Sequence, residues 1–135
     1  MPQLLLHLIG DYLLQSHDMA TKKTSKAWWC WYHCVVYTAP FLLLTRSPLA
    51  LGIIFISHFF IDHYRLARYV VRLKNQLLGN GSQFEFMGLY HINHKTYDTP
   101  TGYPKETPDY LAVWLLIIAD NTLHLAINYL ALTHA

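Results

Sequence analysis

Charge is what this chain has least of. Asp, Glu, Lys and Arg make up 13% of its 135 residues, against ~25% in an ordinary soluble domain. The net charge of +2 is too small to argue for nucleic acid, whose binders concentrate basic side chains against phosphates. Glutamate is confined to Glu85 and Glu106, both in one polar connection. That excludes the soluble di-iron bundle, which needs Glu-x-x-His on its helices. The two cysteines, Cys30 and Cys34, sit inside an apolar segment and make no disulfide framework. There is no phosphate-cradling glycine loop, no His-Glu-x-x-His and no serine-nucleophile elbow. The apolar start lacks a basic lead and a cleavage site, so it reads as mature structure and not as a signal peptide.

What the chain does have is apolar runs. Four are expected to be helices, at about 2–20, 27–45, 49–73 and 110–132, with a polar connection over 75–109. The second run holds no Asp, Glu, Lys or Arg and opens on Trp28, Trp29 and Trp31 directly after lysines, as where a helix enters a membrane interface. Pro40 should kink it. The first run is short for a span, which takes ~20 residues. If the runs alternate through a bilayer, nine of the ten basic residues fall on one side and Arg46 alone on the other. Excess Lys and Arg marks the cytoplasmic face, which leaves both termini outside it. The expected fold is all-α: a four-helix transmembrane bundle in one integral membrane domain, with a long cytoplasmic loop between helices 3 and 4.

Those runs carry acids and imidazoles in a repeated spacing. His7 with Asp11, His58 with Asp62, and Asp120 with His124 are each four residues apart, so each pair shares a helix face. His33 stands alone in the second run. An aspartate at the bilayer centre costs ~2.5–3.5 kcal/mol even on a lenient scale, and neutral histidines cannot cancel three of them. Two divalent cations and a hydroxide would. His7, Asp11, His33, His58, Asp62, Asp120 and His124 are therefore the expected metal ligands, for one or two ions, with zinc first and manganese or iron next. A proton relay or ion pathway uses the same residue types. A single pair at this spacing is more often a satisfied hydrogen bond; three pairs and His33 together turn the balance toward metal.

The set of motifs His7-Leu-Ile-Gly-Asp11-Tyr-Leu-Leu-Gln15, His33-Cys-Val-Val-Tyr37, His58-Phe-Phe-Ile-Asp62 and Asp120-Asn-Thr-Leu-His124 resembles a family of small bacterial and phage membrane proteins, domain of unknown function 3307. The layout is also similar to inner-membrane metal-dependent hydrolases with His-x-x-x-Asp in their helices. By analogy that resemblance implies a hydrolase in the cytoplasmic membrane.

The expected activity is thus metal-dependent hydrolysis of a phosphoester or related bond in an amphiphile reached from the bilayer. Asp62, His58, Asp120 and Arg65 are the expected catalytic residues. Arg65, with Lys22, Lys23 or Lys26, would hold an anionic substrate group. Gln15 or Tyr37 would orient ligands, and the 75–109 connection would serve as a lid. Expected partners are membrane lipids, the substrate and a second copy of the chain. The alternative is a non-enzymatic membrane module, either a proton or metal-ion pathway or an interaction protein.

Overall fold

The computed structural model describes residues 2–78 and 99–135; the body of the expected lid, 79–98, lies outside the described residues. Every regular element among the described residues is helical. In order they are α1 (Pro2–Leu8), which runs into a π-helical turn (Ile9–Leu13), then α2 (His17–Lys22) and α3 (Ala27–Thr38). A 3-10 stretch (Ala39–Leu43) precedes α4 (Pro48–Tyr64), α5 (Leu66–Leu78) and α6 (Asp109–His134). Contacts sort these into two compact units, residues 1–65 with 121–135, and residues 66–120.

Three of the expected helices break where local chemistry offers something better. The 2–20 helix stops near Leu14, whose amide reaches back five residues to the Ile9 carbonyl at 2.9 Å. Ser16 is then extended, and its hydroxyl accepts from the Met19 amide at 3.4 Å, which caps α2. A serine that satisfies an orphan donor and an Asp18 near the positive helix end make that restart favourable. The 27–45 helix changes form just before Pro40. The α-helix ends at Thr38 and continues in the tighter 3-10 form, because proline has no amide to donate. The 49–73 helix ends at Tyr64. Arg65 takes the left-handed conformation (φ 52, ψ 49) and its amide bonds back to Asp62, after which α5 runs to Leu78, past the expected start of the loop. Only α6 follows its expected bounds closely. It is also the one described helix long and apolar enough by itself to cross a membrane, a test that α4 and α5 pass only when taken together.

In the first unit, α3 and α4 are joined by a short turn in which Ser47 caps α4 through the Ala50 amide and Pro48 opens the helix. Ser47 Oγ also donates to the Ala135 carbonyl at 2.9 Å, so the end of α6 meets that turn. Leu6, Tyr37, Phe41, Ile54 and Ala131 form a small apolar core. The π-helical turn lies so close to α3 that a Cβ on Gly10 would come within 2.6 Å of Tyr37 Cδ2 and 3.2 Å of its Cα. Only glycine fits there. Beside this core, burial runs against the soluble pattern. His7, His33 and His58 are 0% exposed, while Leu43 is 81% and Leu13 77% exposed. Buried polar groups and exposed large apolar ones are the observations that carry information.

The second unit packs α5 against the first part of α6 and a turn over 99–103. Its core is Val71, Tyr103 and Ala112, with Leu115, Leu116 and Ala119 against it.

Candidate metal centre

Four side chains of the first unit converge. Asp11 arrives from the π-helical turn, His33 from the middle of α3, and His58 with Asp62 from the last two turns of α4. All four are buried. One ligand atom of each lies within 4.8 Å of the others. The separations are tighter than that limit. His33 Nε2 is 3.1 Å from Asp11 Oδ1, 3.3 Å from Asp62 Oδ2 and 3.0 Å from His58 Nε2. His58 Nε2 is 3.4 Å from Asp11 Oδ1 and 3.2 Å from Asp62 Oδ2. Four ligands at ~2.0–2.2 Å around one tetrahedral ion stand about 3.3–3.6 Å apart, by the geometry of the tetrahedron. The five separations therefore describe the edges of a slightly contracted ligand cage.

Hydrogen bonds behind the four fix the orientation of His58. His58 Nδ1 is 3.1 Å from His124 Nδ1, and His124 Nε2 is 3.2 Å from Asp62 Oδ1. One tautomer set satisfies both contacts: His58 donates from Nδ1 to His124 Nδ1, and His124 donates from Nε2 to Asp62. His58 Nε2 then carries a lone pair able to accept from His33 Nε2 at 3.0 Å, with two carboxylate oxygens beside it. A carboxylate-to-histidine relay behind a coordinating nitrogen is also the arrangement that fixes a metal-binding imidazole.

His7 stands behind the four, while His124 belongs to a second set of candidate ligand atoms that shares Asp62. His7 Nδ1 is 3.3 Å from Asp11 Oδ2 and 2.8 Å from Tyr37 Oη, and its Nε2 is 3.0 Å from Asn121 Oδ1. Asn128 donates to Tyr37 Oη at 2.7 Å, and the Tyr37 ring stacks on His58 at 3.6 Å between centroids. Tyr37 thus touches both His7 and His58. Asn121 and Asn128 were not singled out from the sequence, although with His124 they mark one face of α6. His33 Nδ1 is buried and has no hydrogen-bond partner among the described residues.

The cation that reaches this centre is Lys23. Its ammonium lies 2.7 Å from Asp62 Oδ2, with Lys23 19% and Asp62 3% exposed. With its amide oxygen turned to the lysine, Gln15 accepts from Lys23 Nζ at 2.9 Å and donates to the Asp11 carbonyl at 2.9 Å. Arg65 is exposed at the end of α4. Asp120 is half-buried, one turn before His124 on α6, and belongs to the second unit. Two buried carboxylates with neutral imidazoles carry two negative charges, of which Lys23 offsets one. A divalent ion would offset both, and two imidazole nitrogens with two carboxylate oxygens suit zinc.

Neither a curated protein nor a solved structure matches the chain. A family model matches residues 1–92, a stretch that holds all four converging residues. The chain belongs to the family described as protein of unknown function (DUF3307).

Proposed function

We propose that this protein is a membrane-embedded, metal-dependent hydrolase that holds one divalent ion, zinc first, between Asp11, His33, His58 and Asp62. The observation that carries the reading is the set of tetrahedral-edge separations among four buried ligand atoms. Such an ion lowers the pKa of a bound water to near neutrality and polarises a phosphoryl or ester oxygen. A catalytic ion needs an open position, and Asp62 is the ligand able to yield one, since Lys23 is a ready second partner for its Oδ2. Asp11, His33 and His58 would hold the ion, and Asp62, beside Lys23, would be the carboxylate placed to accept a proton from water. His124 keeps Asp62 and His58 in register. Lys23, rather than Arg65, is placed to meet an anionic substrate oxygen.

The apolar exterior of the first unit supports a bilayer as its surroundings, with four membrane-inserted helical segments of which α1 enters part way. α1 with its π-helical turn covers residues 2–13, or ~18 Å at ~1.5 Å per residue, against a hydrocarbon core of ~30 Å. Lys22, Lys23 and Lys26 then mark the cytoplasmic side and the Ser47–Ala135 contact the opposite one. An amphiphile with a phosphoester is the substrate class that such a site reaches from the membrane.

A second reading, a metal-ion pathway, is favoured by the completeness of the cage, because four protein ligands leave no place for water while Asp62 stays on the ion. Metal analysis of the detergent-purified protein tests the shared premise. The expected result is one zinc per chain in the wild type and less than a tenth of that in His58→Ala and Asp62→Ala. A metal-free wild type ends both readings. Release of phosphate from phospholipid analogues, against zinc flux into liposomes, then separates enzyme from pathway.

A further inference from the structure

One side of α5 is used up inside the second unit. Ala67 and Val71 are buried, Val71 in the small core it shares with Tyr103 and Ala112. Gly102 of the 99–103 turn, with φ +76, lies so close to the helix that a Cβ there would meet the Arg68 carbonyl at 2.4 Å and the Arg72 amide at 2.9 Å. Only glycine lets the turn sit down on the backbone in this way. Asn75 Nδ2 donates to the Gly102 carbonyl at 3.1 Å and Lys74 Nζ to Tyr103 Oη at 3.3 Å. The other side differs. Leu66, Val70, Leu73 and Leu77 are all exposed, and their spacing of four, three and four residues puts them in one line along the helix. A single exposed leucine carries no information, but a continuous line of large apolar side chains does.

Length, charge and depth name a lipid surface as what meets that line. α5 has 13 residues, ~20 Å at ~1.5 Å per residue, and cannot by itself cross a hydrocarbon core of ~30 Å. It holds Arg68 and Lys74 and no acid. These two cations are bonded to the phenols of Tyr69 and Tyr103, which orient a charge without neutralising it. An apolar line on a short basic helix is the build of a helix in a membrane surface, where anionic headgroups attract Lys and Arg. Depth agrees with charge. Val71, midway along α5, packs with Ala112, Leu115 and Leu116 in the first turns of α6, the helix long and apolar enough to cross a membrane. Tyr110 and Trp114 in those turns are exposed, and Tyr and Trp gather where a span leaves the lipid.

We infer, resting on the bilayer surroundings proposed above, that α5 lies in the surface of an anionic lipid bilayer with Leu66, Val70, Leu73 and Leu77 among the upper acyl chains. Metal plays no part in that placement.

The experiment uses the full chain in nanodiscs of phosphatidylcholine alone, or of phosphatidylcholine and phosphatidylglycerol in equal parts. Nitroxide labels are placed one at a time through Leu66→Cys, Val70→Cys, Leu73→Cys and Leu77→Cys, so that one variant failing to fold does not end the test. Cys30 and Cys34 are fully buried, and the native chain treated with the label is the background. Collisions with oxygen, which concentrates in lipid, are read against collisions with a water-soluble nickel chelate. In the mixed discs oxygen should exceed nickel several-fold at all four positions. Lys105→Cys, at an exposed lysine of the same unit, should read the reverse. The excess should be smaller in phosphatidylcholine alone, and Arg68→Gln with Lys74→Gln should bring the mixed discs down to that level. Ile56→Cys, at an exposed position of α4, reports whether the protein sits in lipid at all. Oxygen excess at Ile56 with nickel excess along α5 overturns this inference alone, whereas nickel excess at both overturns the bilayer reading beneath it. Labels on α5 that neither reagent reaches, and that broaden one another, place a second copy of the chain on the stripe and overturn the inference too. An excess that ignores phosphatidylglycerol overturns the anionic headgroup as its partner.

Discussion

The two units keep their charged side chains in different surroundings. In the first, acids and imidazoles from three stretches of sequence are turned inward among apolar helices, where Lys23 pairs with Asp62. In the second, two arginines of a single helix line a recess beside a self-bonded turn. Burial makes the difference. Carboxylates removed from water need a compensating cation close by, and on the function proposed above the first unit takes one up beside Lys23. The arginines of the second unit are half-buried and keep part of their hydration. The comparison therefore says that metal should govern the stability of the first unit and leave the second untouched.

Metal removal is the most forceful way to break that contrast. Zinc at about a thousand times its Kd should stabilise the chain by ~4 kcal/mol relative to chelated protein. Hydrogen exchange locates the effect: protection of α3 and α4 should fall on chelation, while that of α5 stays as it was. Loss of protection spread evenly over α3, α4 and α5 would show that the units do not respond separately. No loss anywhere would show that no ion is held.

A smaller effect tests whether the layer behind the four ligands acts through them. His124→Phe fills the same space but cannot join His58 Nδ1 to Asp62 Oδ1. Metal affinity should fall about 10–100-fold, the usual cost of losing such a partner, with one ion still bound at saturation. Loss of all binding would instead make His124 a ligand, as its spacing from Asp120 suggested.

How much of this could be read from the sequence follows from how local each feature is. The spacing of His7 with Asp11 and of His58 with Asp62 predicts shared helix faces, and those faces do point inward. Which atoms converge and which stand behind is a matter of distance between helices, and no spacing along one helix encodes it. His7 and Asp11 look alike in pattern, yet Asp11 reaches the cage and His7 turns to Tyr37 and Asn121. The break at Ser16 was legible in principle, since a serine followed by Asp18 is a helix-start signal; the apolar run on either side hid it. The left-handed Arg65 had no such signal, with neither glycine nor proline nearby, so α4 and α5 read as one helix. Asn128 could have been found from its place one turn after His124.

The smallest effect separates two adjacent lysines. Lys22 lies 2.6 Å from Asp18 and Lys23 lies 2.7 Å from Asp62, so distance does not distinguish them; the first pair is 40% and 49% exposed, the second 19% and 3%. Water and salt screen the exposed pair, and such pairs contribute little. Lys22→Gln should therefore leave both melting temperature and zinc affinity at their wild-type values. Lys23 competes with the ion for the same Asp62 oxygen and adds a like charge beside it. Lys23→Gln should lower the stability of the chelated protein, because Asp62 is left without its cation, and raise zinc affinity several-fold. Chelated and zinc-loaded melts of the two variants, run beside a zinc titration, read both signs at once. If Lys23→Gln weakened zinc binding, the lysine would be a support of the cage and not its rival, and Asp62 would have no alternative partner to turn to when water enters.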